Sequence, residues 1–256
     1  MALLLLGPAA RAAVWSEVCA EAGEVFYHES APAEEVTHLA CWVPPEDLSL
    51  YPNLRVVICV GAGVDQMPLM PEGVALVRTH AASVDEMVRD WVVMATLMLH
   101  RDIPGYLAQA REGVWQAGTI PLSRGTKVGI MGMGRIGSLA AETLGGMGFD
   151  VLGWSRSGRG PEGVRMFDAG GMEHFLSEAE TLICLLPLTP ATQGLMDDAF
   201  LAKLPAGARL VQAGRGAQLS LEALRRALDS GQLASAMLDV TEPEPLPADH
   251  WAWSHN

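Results

Sequence analysis

The chain has 256 residues, 50% hydrophobic and 18% charged, with a formal net charge of −13. That is the composition of a globular protein able to bury one large or two modest cores, and its acidity argues against a nucleic-acid partner, because phosphate backbones recruit Lys and Arg. Cys19, Cys41, Cys59 and Cys184 are widely spaced and form no CxxC pair or metal-ligand cluster, which argues against a disulfide framework or a bound metal and for a reducing cytoplasm.

The opening MALLLLGPAARAAVW has no basic leading segment and only a short apolar run, so residues 2–6 read as a β-strand rather than a signal peptide. No apolar run approaches the roughly 18 residues of a membrane span. Residues 9–22 follow as a helix. Residues 37–42 and 55–60 read as strands, separated by a proline-rich turn at 44–53, and 75–79 is a further short strand. This alternation argues for a parallel sheet with helices on its faces. From 84 to 111 a long helical segment follows, with a break expected at Pro104. Val84, Met87, Val88, Trp91, Val92, Ala95 and Met98 recur at helical spacing, and Val93, Met94, Leu97 and Leu99 fill much of the rest. A helix apolar nearly all round is buried. Bridging two domains, forming a dimer interface and packing inside one domain all fit the pattern. Residues 117–125 read as a linker.

Residues 127–157, KVGIMGMGRIGSLAAETLGGMGFDVLGWSRS, read as strand, glycine turn, helix and strand. Gly132, Gly134 and Gly137 form G-x-G-x-x-G. The first glycine permits a tight turn, the second lets backbone approach a pyrophosphate, and the third lets the helix pack on the strand. Phosphates would sit at the N-terminus of a helix beginning at Arg135 and Ile136, where free N–H groups and the helix dipole attract anions. The same glycines also suit a purely structural turn; the strand before them and the helix and strand after them favour dinucleotide binding. At the end of the second strand an NAD site usually carries Asp or Glu for the ribose 2′-OH. This chain has Ser155, Arg156 and Ser157, with Arg159 and Arg165 just beyond. A guanidinium matches a phosphate better than a hydroxyl, so the loop points to NADP(H), with NAD(H) possible; an ordinary solvated basic loop is the alternative.

The alternation resumes with strands at 181–185, 209–212 and 234–239 and helices at 197–203 and 221–229, without internal repeat. Loops at the carboxyl ends of parallel strands are where such folds bind ligands. Residues 60–65, VGAGVD, would expose backbone N–H groups to a small carboxylate. Arg215, held between Gly214 and Gly216, is placed to grip a carboxylate or polarise a carbonyl. The acids of DVTEPEPLP, from Asp239, orient a base or are simply solvated.

The stretch LICLLPLTPATQGLMDDAFLAKLPAGARLVQAGRG, with AMLDVTEPEPLP after it, resembles the D-isomer-specific 2-hydroxyacid dehydrogenase family. WVPP, VGAGVD and VLGWSRS resemble its glyoxylate/hydroxypyruvate reductase A branch. The likeness runs from about Thr37 to Asn256. It implies an α/β protein with a Rossmann doubly wound sheet at 99–256 and a flavodoxin-like α/β substrate domain at 1–98, which in the family is completed by a C-terminal return segment not found here. It also implies a homodimer paired through the 84–111 helix, and reduction of a small 2-keto acid by hydride transfer from the nicotinamide. By motif, Arg215 binds substrate carboxylate and keto oxygen, and Glu244 pairs with a catalytic histidine acting as general acid. Asp239 faces the nicotinamide carboxamide, and Leu186 and Pro187 join the cofactor-binding set. Ala62 and Gly63 offer N–H groups to the substrate carboxylate, and Trp42 shapes its pocket.

Three departures stand out. Gln212 replaces the family's Asn before the GRG run, and Thr241 replaces an aromatic after Asp-Val. The family's histidine lies in a Thr-Pro-His run past the segment matching Trp253-Ser254-His255, beyond Asn256; His80, His100, His174, His250 and His255 match no catalytic position. The alternative function is therefore a dinucleotide-binding sensor or interaction protein without turnover.

Overall fold

The computed structural model describes residues 1–61, 63–79 and 81–255. It divides into two compact units, Met1–Ala81 and Ala82–Asn256.

The first unit contains β1 (Ala2–Leu6), α1 (Ala9–Glu21), β2 (Val25–His28), β3 (His38–Cys41), β4 (Val56–Cys59) and β5 (Ala75–Arg78). Among the described residues its strands pair in parallel in the order β2-β1-β3-β4-β5, which is the flavodoxin-like order. Alternate residues face opposite sides of a strand. Leu3, Leu5 and Ala40 accordingly pack with Ala12 and Cys19 of α1, while Leu4, Leu39, Cys41 and Val57 pack with Leu48 and Leu54 on the other face.

The second unit runs α2 (Ala82–His100), α3 (Ile103–Glu112), β6 (Lys127–Met131), α4 (Arg135–Gly146), β7 (Asp150–Trp154), β8 (Arg165–Phe167), α5 (Met172–Glu178), β9 (Thr181–Cys184), α6 (Asp198–Leu201), β10 (Ala208–Gln212), α7 (Leu221–Asp229) and β11 (Leu233–Leu238). Among the described residues six parallel strands lie in the order β11-β10-β9-β6-β7-β8. This is the doubly wound dinucleotide-binding order, and it reverses between β6 and β9. Val128 and Ile130 face a core shared with α2 and α4. Met131 and Cys184 face the core under α5, α6 and α7.

Two expectations need correction, and three elements go beyond the sequence reading. The units part at Ala81, not near residue 98, because α2 buries Val92, Val93, Ala95 and Leu99 against Val128, Ile130, Ile183 and Val211 of the second sheet. The helical segment breaks before Pro104: Asp102 takes a left-handed conformation, φ 52°, and Pro104 sits in the first turn of α3, where a missing N–H costs nothing. β2, β8 and α5 were not read from the sequence; β2 and β8 are short edge strands, only partly buried.

Candidate functional site

In the second unit, the chain leaves β6 at Gly132 with φ +102°, and Gly132 N–H donates to Trp154 O at 3.0 Å. A Cβ on Gly132 would lie 2.8 Å from the Leu185 carbonyl, and one on Gly137 would lie 2.1 Å from Gly132 O. Both glycines are therefore required by the packing of loop, strand and helix. Gly134 differs. It is the extended N-cap of α4, with φ −80° and ψ −161°, and a Cβ there would meet nothing within 4 Å. No side chain caps the twelve-residue α4, so its first-turn N–H groups face that open space. An uncapped helix N-terminus with open space beside its glycine N-cap suits a pyrophosphate. Arg135, half-exposed, pairs with the buried Asp85 carboxylate of α2.

At the end of β7 the chain makes a turn. Ser155 N–H donates to Phe167 O at 3.1 Å, Gly158 N–H to Ser155 O at 3.0 Å, and Ser155 Oγ to Arg159 O at 2.8 Å. Arg156, Ser157 and Arg159 are exposed on it. Arg165 belongs to β8 instead. Its guanidinium pairs with Glu178 and lies 4.9 Å from the Phe167 ring centroid, so it serves the sheet edge rather than the loop.

The loops after β9 and β10 are tied together. Arg215 is extended, with φ −142° and ψ 144°, and its guanidinium donates to Gly214 O at 2.9 Å. A Cβ on Gly216 would lie 2.0 Å from the Thr241 carbonyl, so the GRG loop is pressed against the segment after β11. Asp239 N–H donates to Gln212 O at 2.8 Å. Desolvation raises the Asp239 carboxyl above its usual range, although its side chain still reaches solvent. Asp239 and the exposed Glu244 both line a cavity of about 760 Å3, with Met98, Leu107 and Arg111 opposite. Arg215, Leu186 and Pro187 do not line it.

In the first unit, Trp42 lies over Gly61, where a Cβ would come within 2.0 Å of its ring. Gly63 O accepts from Cys59 Sγ at 3.1 Å. Ala62, expected beside it, lies outside the described residues, as do His80 and Asn256. The remaining histidines noted above have structural partners. His100 is buried edge-on to Phe149 at 4.9 Å. His174 pairs with Glu178, His250 accepts from Ala252 N–H, and His255 pairs with Asp229. The four cysteines are buried, and burial pushes the Cys41 thiol up to about 11 and Cys184 to about 12, which makes both poor nucleophiles.

Residues 93–256 match the family model described as D-isomer specific 2-hydroxyacid dehydrogenase, NAD binding domain. The chain belongs to that family. It is 34% identical over 226 residues to the glyoxylate/hydroxypyruvate reductase A of Yersinia enterocolitica, covering 84% of this chain and 72% of that protein. The NADPH-dependent glyoxylate/hydroxypyruvate reductase of Sinorhizobium meliloti, solved with NADP and sulfate, superposes with a TM-score of 0.90 at 34% identity, covering 100% of this chain and 86% of the other. A D-isomer specific 2-hydroxyacid dehydrogenase of Xanthobacter autotrophicus Py2, solved with NADPH and MES, gives 0.89 at 34% identity, covering 99% and 85%.

Two amides of this 2-hydroxyacid dehydrogenase, Gln66 and Gln218, escape a reading by motif, and the structure gives the partners of a third. Gln212, standing where the family pattern has Asn, accepts from Gly214 N–H at 3.2 Å and donates to Arg215 O at 2.9 Å, so the longer side chain still holds the loop. Gln218 is fully buried between the β9 and β10 loops. Gln66 donates to Trp42 O at 3.0 Å and lies 3.4 Å from Gly63 O. The only sequence signal for Gln218 was its place two residues after the Gly-Arg-Gly run.

Proposed function

We propose that this dehydrogenase reduces small 2-keto acids, glyoxylate and hydroxypyruvate among them, to 2-hydroxy acids with NADPH. The turn after β7 carries the cofactor preference: it presents Ser155, Arg156 and Ser157 where a carboxylate would otherwise receive a ribose 2′-OH. Relatives named as NADPH-dependent or as glyoxylate/hydroxypyruvate reductases support it. NADH is expected to bind more weakly.

On this reading residues 82–256 hold the cofactor and residues 1–81 form the substrate unit. The N–H groups of Arg135, Ile136 and Gly137 receive the pyrophosphate beside Gly132 and Gly134, and the Ser155–Ser157 turn receives the 2′-phosphate. Leu186, Pro187 and Asp239 are assigned to the nicotinamide end. The bound cofactor supplies a hydride from nicotinamide C4. Arg215 holds the substrate carboxylate and polarises the keto oxygen as charge develops there. Trp42, Ala62 and Gly63 are assigned substrate contacts from the first unit. Glu244 is assigned to orienting a general acid. The buried, free cysteines fit a reducing cytoplasm. Met87, Met94, Leu107 and the nearly fully exposed Trp115 leave apolar surface on and after α2 and α3, and we place a homodimer contact there.

The second reading is dinucleotide binding with little turnover. Fluorescence titration of NADPH and NADH, with Arg156→Ala beside the wild type, tests the cofactor assignment. A charge-assisted contact is worth about 1.5–3 kcal/mol, so the variant loses roughly tenfold or more for NADPH and little for NADH; equal loss for both refutes the 2′-phosphate assignment. Glyoxylate-dependent oxidation of NADPH then separates the two readings, since tight binding without turnover supports the second.

A further inference from the structure

Gln218 closes the short turn Gly216–Gln218 that follows Arg215, and its side chain is fully buried. Its Oε1 accepts from Arg215 N–H at 2.9 Å. Its Nε2 donates to Leu186 O at 3.1 Å and to Pro187 O at 3.0 Å. Flipping the amide would set its oxygen against two carbonyls and its NH2 against an N–H, so the network itself fixes the orientation. Gln212 Nε2 lies 3.5 Å from the same Oε1. A Cβ on Gly214 would lie 2.4 Å from Gln218 Oε1 and 2.9 Å from Leu186 O, so that glycine is what lets the amide reach across. One side chain thus fixes the backbone of Arg215 and the loop after β9 relative to each other.

We infer that Gln218 is a positioning residue, which sets the Arg215 guanidinium for the keto acid and the Leu186–Pro187 loop for the cofactor through one amide. The inference rests on the role proposed for Arg215. A buried amide does this well because it is neutral and both donates and accepts. An apolar side chain would leave the Arg215 N–H and Leu186 O without their partner, Pro187 O keeping Thr192 Oγ1 at 2.7 Å, and a carboxylate would face two carbonyls with negative charge.

The test compares Gln218→Met and Gln218→Glu with Gln232→Met, measuring Tm, NADPH Kd, and KM and kcat for glyoxylate across pH. Gln232 is a matched control, since its amide donates to Leu201 O at 3.1 Å and Leu204 O at 2.9 Å, just before β11 and at the other end of the strands from Arg215. Gln218→Met is expected to raise KM for glyoxylate on the order of tenfold or more and to weaken NADPH binding severalfold; Gln232→Met lowers Tm and moves neither. In Gln218→Glu the neutral acid retains one donor and one acceptor, so activity near wild type is expected on the acid side, falling as the buried carboxyl ionises. This ionisation is absent from the other proteins. If both methionine variants change KM and NADPH Kd alike, or if Gln218→Glu follows the wild-type pH profile, the inference is overturned. Should Gln218→Met fail to fold, the pH profile of Gln218→Glu decides. Should wild type not reduce glyoxylate at all, the proposed function fails, and NADPH Kd alone judges the amide: an unchanged value in Gln218→Met and Gln218→Glu overturns it.

Discussion

Placing a methyl group at Gly134 and at Gly137 separates the two jobs that the glycine loop performs. At Gly137 the added Cβ would stand 2.1 Å from Gly132 O, where ordinary contact begins at 3.4 Å, so α4 has to retreat by about 1.3 Å. That helix carries Ala140, Ala141 and Leu144 into the core with Val92, Ile130 and Ile183, and the retreat disturbs that packing. Overpacking of this kind costs about 1–3 kcal/mol, and in a unit of this size each kcal/mol lowers Tm by about 2–4 °C. Gly137→Ala is expected to lower Tm by roughly 5 °C and to weaken NADPH as well, because the helix N-terminus moves. At Gly134 the backbone is extended at φ −80° and nothing lies within 4 Å. Gly134→Ala therefore keeps its Tm within about 1 °C, as for an unconstrained surface change. Its methyl occupies the space through which a pyrophosphate approaches the N–H groups of α4. Losing one charge-assisted contact costs about 1.5–3 kcal/mol, or roughly tenfold to a hundredfold in NADPH affinity. Differential scanning fluorimetry and fluorescence titration measure the pair. Wild-type NADPH affinity in Gly134→Ala would refute phosphate binding at this loop, and an unchanged Tm in Gly137→Ala would refute the steric argument.

Burial, with Arg209 nearby, lowers the His100 imidazole below its ordinary value; the unfolded chain then binds more protons below about pH 6.5, so stability falls as pH drops from about 7 until the folded-state value is reached. His100→Gln should flatten that slope in urea titrations, with His38, lowered in the same direction, keeping part of it; identical slopes contradict the assignment. Sedimentation at micromolar concentration should show a dimer that Met94→Glu, on the exposed side of α2, shifts to monomer; a monomeric wild type contradicts the proposed contact.

Much of this architecture was legible because local sterics write it into short stretches. Gly132 and Gly137 are glycines for want of room, and the strands at 2–6 and 127–131 show as apolar runs bounded by turn residues. What was not legible depends on distant partners. RMF in β8 and VFYH in β2 are too short and too mixed to show a period, and they become strands because Leu152–Trp154 and Ala2–Leu5 offer open edges. The apolar girth of α2 announced burial but not which core it joins. Pro104 misled because proline stops a helix from within yet is welcome in its first turn; the break is set by Asp102.

Gln218 was illegible for the same reason, since its partners at Leu186 and Pro187 lie 32 and 31 residues back along the chain. In a parallel sheet the strands end side by side, and their last carbonyls and N–H groups point into loops that no ladder can satisfy. A buried amide answers both needs at once. The first unit has a partial counterpart on a different sheet, where Gln66 Nε2 donates to Trp42 O after β3 and lies 3.4 Å from Gly63 O after β4. In each unit, then, a glutamine amide ties together loops that are assigned to ligands. This follows from what the site has to do. A carboxylate at these positions would set negative charge beside the phosphate and carboxylate that the loops are proposed to bind, whereas a neutral amide sets backbone geometry without adding charge.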